Sequence, residues 1–238
     1  MREASNESEA SPPKQWRKKL LVFLSAQLLV VGLVAQLLTR QSEVKPSVGG
    51  ELIFSEHFED PSILTETYQS ESDQGHKAGR WVVKDGRLHG EKIHNAALWF
   101  KGLQLPEEVR VEFKAWALSD QGDVKCELFG DGETHQSGYI IIAGGWSNST
   151  QVIARQDEHG EERRQDRRCS QGRGAVCVPK DEPQHWVIER RDGALLWFVN
   201  ETLQLRFDDQ QPLTGSGFAF NNWEASVAFD DLQVYALP

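Results

Sequence analysis

The run LLVFLSAQLLVVGLVAQLL, Leu20 to Leu38, holds nineteen residues without a charge. As a helix rising about 1.5 Å per residue it spans roughly 28 Å, close to the hydrocarbon thickness of a bilayer. Lys14, Arg17, Lys18 and Lys19 abut it on the N-terminal side, whereas only Arg40 and Lys45 follow it closely. Basic flanks stay on the cytoplasmic side. The run therefore predicts an uncleaved, single-pass anchor, with the N-terminus cytoplasmic and the C-terminal body periplasmic in a bacterial inner membrane. A cleaved signal peptide is the competing reading. Against it, the run is long for a signal sequence, and the exit Leu37-Leu38-Thr39-Arg40-Gln41 has no small-x-small cleavage site. Gln27 and Gln36 lie inside the run. An amide in lipid seeks a partner, so both are candidates for a helix–helix contact; the alternative is that a long apolar helix simply tolerates them.

The rest of the chain divides around this run. Residues 1–13 are polar and read as a disordered cytoplasmic tail. Residues 14–40 are the basic flank and transmembrane helix, 41–50 a linker, and 51–238 the functional body. The mean hydropathy of -0.53 and net charge of -10 average over unlike parts. The body alone has 19 Lys and Arg against 32 Asp and Glu, a net charge of -13. That balance excludes a nucleic-acid binder, which needs a basic face.

The body shows short alternating runs and almost no helical periodicity. Examples are RWVVKDGRLHG, VRVEFKAWAL, VKCELFGDG and GYIIIAGGW, separated by Gly, Asp, Asn and Pro. This is the pattern of an all-β sandwich or barrel. Asp192-Gly193 between two alternating runs predicts a hairpin, and the stretch Trp186 to Phe207 a three-strand meander. DEHGEERRQDRR, Asp157 to Arg168, has no apolar face and reads as the start of a long charged loop reaching Val178. Cys169 and Cys177 bracket the flexible segment SQGRGAV and are expected to form a disulfide outside the cytoplasm. Cys126, in the alternating VKCELF, is expected to be a buried free thiol. The cysteines and histidines lack zinc-ligand spacing.

Several segments together resemble the concanavalin A-like lectin/glucanase superfamily, in particular its laminin G-like and 3-keto-disaccharide-hydrolase-like members. They are Phe54 to Asp60, Trp81 to Leu88, Val109 to Trp116, His185 to Asn200, and Phe229 to Tyr235 with its F-D-D-L-x-V pattern. The resemblance covers Ile53 to Leu237 and departs where Glu201-Thr202 stands in place of the usual Gly. It implies a jelly-roll β-sandwich ectodomain behind the single transmembrane helix. It also implies a weak calcium candidate at Asp230 and Asp231, which some relatives use; otherwise the two carboxylates accept backbone hydrogen bonds. No other cofactor is implied.

No E-x-D-x-x-E strand motif, G-x-S-x-G elbow, H-E-x-x-H helix or P-loop is present, so no catalytic residues are assigned. His135, His159 and His185 read as isolated surface or strand-end residues. Glu158 and His159 belong to the solvated loop, with a metal or general base as the sharper reading. Gly144 to Thr150 is the most distinctive segment: Trp146 offers a flat apolar face, Asn148 a bidentate amide, and Arg155 beyond it a fork of donors. Asn222 and Trp223 repeat that chemistry. These five residues are the candidate ligand-binding set, and a turn whose Trp caps the core is the plainer alternative. The function expected is a membrane-anchored, non-catalytic binding module for a glycan or for other membrane or periplasmic proteins. The alternatives are an accessory subunit of a larger inner-membrane complex and a glycoside hydrolase-like enzyme.

Overall fold

The computed structural model describes residues 44–72, 79–166, 169 and 176–238. The apolar run, its basic flank, Gln27 and Gln36 lie outside the described residues. Among the described residues no helix is long and apolar enough to cross a membrane. The compact unit begins at Lys45, inside the segment read as a linker. There the buried Glu189 carboxylate accepts from both the Ser47 amide and hydroxyl at 2.6 Å. Arg110 donates to the carbonyls of Ser47 and Gly49.

The unit is an all-β sandwich of two antiparallel sheets. The first contains β1 (Glu51–Glu56), β3 (Arg80–Lys84), β4 (Arg87–Glu91), β6 (Val109–Ala117), β11 (Gln184–Arg191), β12 (Ala194–Val199), β13 (Thr202–Asp208) and β15 (Ser226–Ala236). Its order is β13-β12-β11-β6-β15-β4-β3, with β1 also on β15. The second contains β2 (Thr67–Gln69), β5 (Leu98–Phe100), β7 (Val124–Gly130), β8 (Tyr139–Gly144), β9 (Thr150–Arg155), β10 (Arg163–Asp166) and β14 (Gly217–Asn221). Its order is β10-β9-β8-β7-β14-β5-β2. The expected meander is the β11-β12-β13 edge. Asp192 and Gly193 take φ of 51° and 70°, the left-handed pair that a tight hairpin turn needs. Part of the stretch expected as a charged loop instead forms β10, because β9 offers it an open backbone edge.

Side chains alternate across each strand, so each sheet turns one set inward. Phe113, Trp186 and Trp197 from the first sheet meet Cys126, Leu128, Phe218 and Phe220 from the second. Phe220 stacks on Phe229 at 4.0 Å between ring centroids and meets Phe113 edge-on at 5.0 Å. Cys126 is the buried free thiol, and Cys169 is bonded to Cys177. Phe229 and Leu232 are both fully buried although strict alternation would turn one outward. A register shift between Asp230 and Gln233 reconciles them, with Asp231 at φ 52°. Such a bulge re-aims the strand, and Asp tolerates the left-handed region. β15 thereby pairs with β4 before the bulge and with β1 from Leu232 onward.

Phe220→Ala is expected to lower unfolding stability by about 3–5 kcal/mol, the range for emptying a buried aromatic site. Denaturant titration measures it; a loss under about 1 kcal/mol would mean that the two sheets do not meet at this ring.

Candidate functional site

β7 is buried along its whole length. Cys126 and Leu128 point into the core, which turns Lys125 and Glu127 to the opposite face. That face is covered as well: Lys125 is 1% exposed and Glu127 0%. The Lys125 ammonium donates to Asn95 Oδ1 and Glu158 Oε2, each at 2.8 Å, and lies 3.6 Å from Asp123 Oδ1. Glu127 Oε1 accepts from Asn221 at 2.8 Å and meets His135 Nδ1 at 2.6 Å, while its Oε2 accepts from the Gln136 amide.

The charges on this floor hold one another. Burial draws the Lys125 pKa down, but Asp123 and then Glu158 outweigh it and leave it above the ordinary lysine value. Burial pushes the Asp123 carboxyl up, against the opposing pull of Lys125. Burial also acts to raise Glu158, yet Lys125 prevails and holds it below the ordinary carboxylate value.

Above the floor lies a cleft of about 480 Å³ lined by Asn95, Asp123, Lys125, Trp146, Glu158 and Trp223, among others. Trp146 is 41% exposed. It meets His159 edge-on at 5.6 Å, and the Arg163 guanidinium lies 4.9 Å from its ring centroid. Trp223 meets His94 edge-on at 5.3 Å, and its backbone amide donates to Asp123 Oδ1 at 2.8 Å. The floor and the second tryptophan are thus fastened to each other.

Trp146 is presented by an unusual backbone. Trp146, Ser147 and Asn148 take φ of 51°, 60° and 59°, three consecutive non-glycine residues in the left-handed region. Such conformations persist only when their surroundings over-determine them. Here Asn148 supplies the constraint. Its amide nitrogen donates to the Val178 carbonyl at 2.8 Å and its oxygen accepts from the Val178 amide at 2.9 Å. The Cys177 amide donates to the Asn148 carbonyl at 3.1 Å, so the disulfide-bearing segment buttresses the turn. A Cβ at Gly122 would stand 2.7 Å from the Asn148 side chain and one at Gly144 2.6 Å from its Oδ1, so both positions need glycine.

Of the five candidate residues, the fold brings Trp146 and Trp223 to one cleft. Asn148 is 4% exposed and holds the turn. Asn222 is fully buried beside Trp223, with its amide donating to Ala225. Arg155 faces a different groove, where it pairs with Asp209 at 3.0 Å and donates to the Gln211 carbonyl. Asp209 also accepts from Tyr139, whose pKa burial and that carboxylate push up to about 12. At Asp230 and Asp231, Asp230 accepts from the Asp231 amide, and Asp231 binds His57 at 2.8 Å and Lys114 at 2.6 Å. One ligand atom from each of His57, Asp230 and Asp231 lies within 4.8 Å of the other two, so the two carboxylates and the imidazole form a group of metal-ligand spacing.

Two expectations need correction. His135 is 8% exposed and rests on buried Glu127, so it is no surface histidine. Glu158 is 6% exposed on the cleft floor, drawn out of the charged loop by Lys125. Asn95, Asp123 and Lys125 line the cleft without belonging to any sequence motif. The signal available was a lysine and a glutamate alternating with a buried cysteine on a strand whose other neighbours are apolar.

Lys125→Met leaves Asp123 and Glu158 without their counter-charge. It is expected to destabilise the fold by about 3–5 kcal/mol, the range for breaking a buried ion pair. Glu158 supplies the pH dependence. Its folded pKa lies below the unfolded one, so its contribution is full above the ordinary carboxylate pKa and is lost as pH falls through the depressed value. Denaturation across acidic pH should show a shallower acid loss for Glu158→Gln than for the unaltered chain; equal slopes would contradict the ion pair.

No protein-family model and no curated protein matches the chain. Solved structures do match in shape. The laminarinase from Rhodothermus marinus superposes with a TM-score of 0.56 at 16% identity, over 79% of this chain and 98% of that one. A Bacillus licheniformis β-glucanase gives 0.55 at 12% identity, over 81% and 100%. Domain 4 of an extracellular arabinanase from Geobacillus stearothermophilus, solved in complex with arabinotriose, gives 0.52 at 14% identity, over 79% and 94%. At these identities the likeness shows the fold alone, an antiparallel jelly-roll β-sandwich.

Proposed function

We propose that the body is a non-catalytic glycan-binding module held at the bacterial inner membrane by the run Leu20 to Leu38, with its cleft in the periplasm. One observation carries the binding assignment: Trp146 and Trp223 line the same cleft, over a floor of charged and amide groups. Flat indole faces match the C–H faces of a sugar ring, and a few fixed polar groups select its hydroxyls. The strained, buttressed turn under Trp146 supports the same reading, because strain maintained by surrounding bonds accompanies functional sites. Solved structures of this shape include carbohydrate-acting enzymes and a domain in complex with arabinotriose. The module is read as non-catalytic because Asp123 and Glu158 are committed to Lys125 and Glu127 is sealed by His135, Asn221 and Gln136.

Calorimetry of the full-length protein against a panel of neutral and acidic oligosaccharides is the test. Trp146→Ala and Trp223→Ala should each weaken binding about tenfold, equivalent to ~1.4 kcal/mol. Absence of binding to any sugar at millimolar concentration, or two silent tryptophan variants, would sink the proposal. A co-purifying membrane protein with no glycan affinity would favour the accessory-subunit reading, and turnover of an oligosaccharide the hydrolase reading.

A further inference from the structure

The outward face of the first sheet carries a second groove, of about 660 Å³, on the opposite side of the sandwich core from the outward face of β7. Arg80, Lys84, His89, Glu91, Lys92 and Ser226 are among its lining residues. Three permanent cations face one carboxylate there, in a body whose net charge is -13. Glu91 is fully engaged: Arg80 contacts its Oε2 at 2.6 Å and Lys84 its Oε1 at 2.8 Å, and these bonds pull its pKa down to about 2. Lys92 is exposed and has no acidic partner among the described residues. His89 is 8% exposed, and its Nε2 has no hydrogen-bond partner among the described residues. A buried polar atom without a partner is costly, and a bound acceptor relieves it.

We infer that this groove binds a compact oxyanion, a sulfate or a carboxylate, through Lys92, His89 and the N–H groups that Arg80 and Lys84 keep beyond Glu91. The charges around His89 agree. Burial, then Lys84 and Arg87, press its pKa below the ordinary value, against the weaker upward pull of Asp85 and Glu91. A bound anion opposes that pressure, so occupancy should raise the His89 pKa.

The experiment is a histidine-ring NMR titration of the full-length protein with inorganic sulfate, with glucuronate, and with chloride at matched ionic strength. The expected result is a saturable shift of the His89 signals and a raised His89 pKa in sulfate, in glucuronate or in both. Lys92→Ala, at an exposed site where folding is not at risk, should weaken that response about fivefold. The inference is overturned if chloride produces the same shift, if neither oxyanion produces one, or if Lys92→Ala binds as tightly as the unaltered protein.

Discussion

Burying the ammonium of Lys125 obliges the chain around it to bring oxygens inward. A lone buried charge is far more costly than the folded state tolerates, so it is paired and hydrogen-bonded wherever it occurs. Asn95 comes from before β5, Asp123 from before β7, and Glu158 from beyond β9, and all three converge on one nitrogen. The same convergence shapes the cleft. Asp123 holds the backbone of Trp223, and Glu158 adjoins His159, which meets the edge of Trp146. One ion cluster therefore fixes the floor of the cleft and sets both tryptophans near it.

The walls rest on a separate constraint. Three successive left-handed residues at Trp146 to Asn148 are unfavourable in isolation. They are held because Asn148 clamps Val178 from both ends of its amide and two glycines leave room for that side chain. Val178 follows Cys177, so the covalent closure of Cys169 to Cys177 keeps the clamped segment in reach. Bond and turn together present the Trp146 indole at the surface, where it is 41% exposed.

The two sheets were legible because strand alternation and Asp-Gly turns are local signals. Trp186 to Phe207 is the clearest case: the spacing of its apolar residues and the turn at Asp192-Gly193 are enough to give the edge β11-β12-β13. The disulfide was legible from the short, Gly-rich sequence between its two cysteines. The candidate site was legible only in part. Trp146 and Trp223 stood out as large aromatics among Gly and Asn, but Asn148 and Arg155 looked the same in sequence and play different parts in space. Glu158 was hidden because a carboxylate in a run of charges gives no local sign that a lysine thirty-three positions earlier will bury it.

The sequence by itself determined the acidic β-rich body, the free and bonded cysteines, and an apolar run of nineteen residues with a basic flank. Each follows from neighbouring residues, through period, spacing or local charge. Only the tertiary structure decided which polar groups share a site. It placed Lys125 on a covered sheet face, gathered Asp123 and Glu158 around it, and separated Arg155 from Trp146. Such pairings depend on strand order and register, which bring distant segments together and which no local window of the sequence contains.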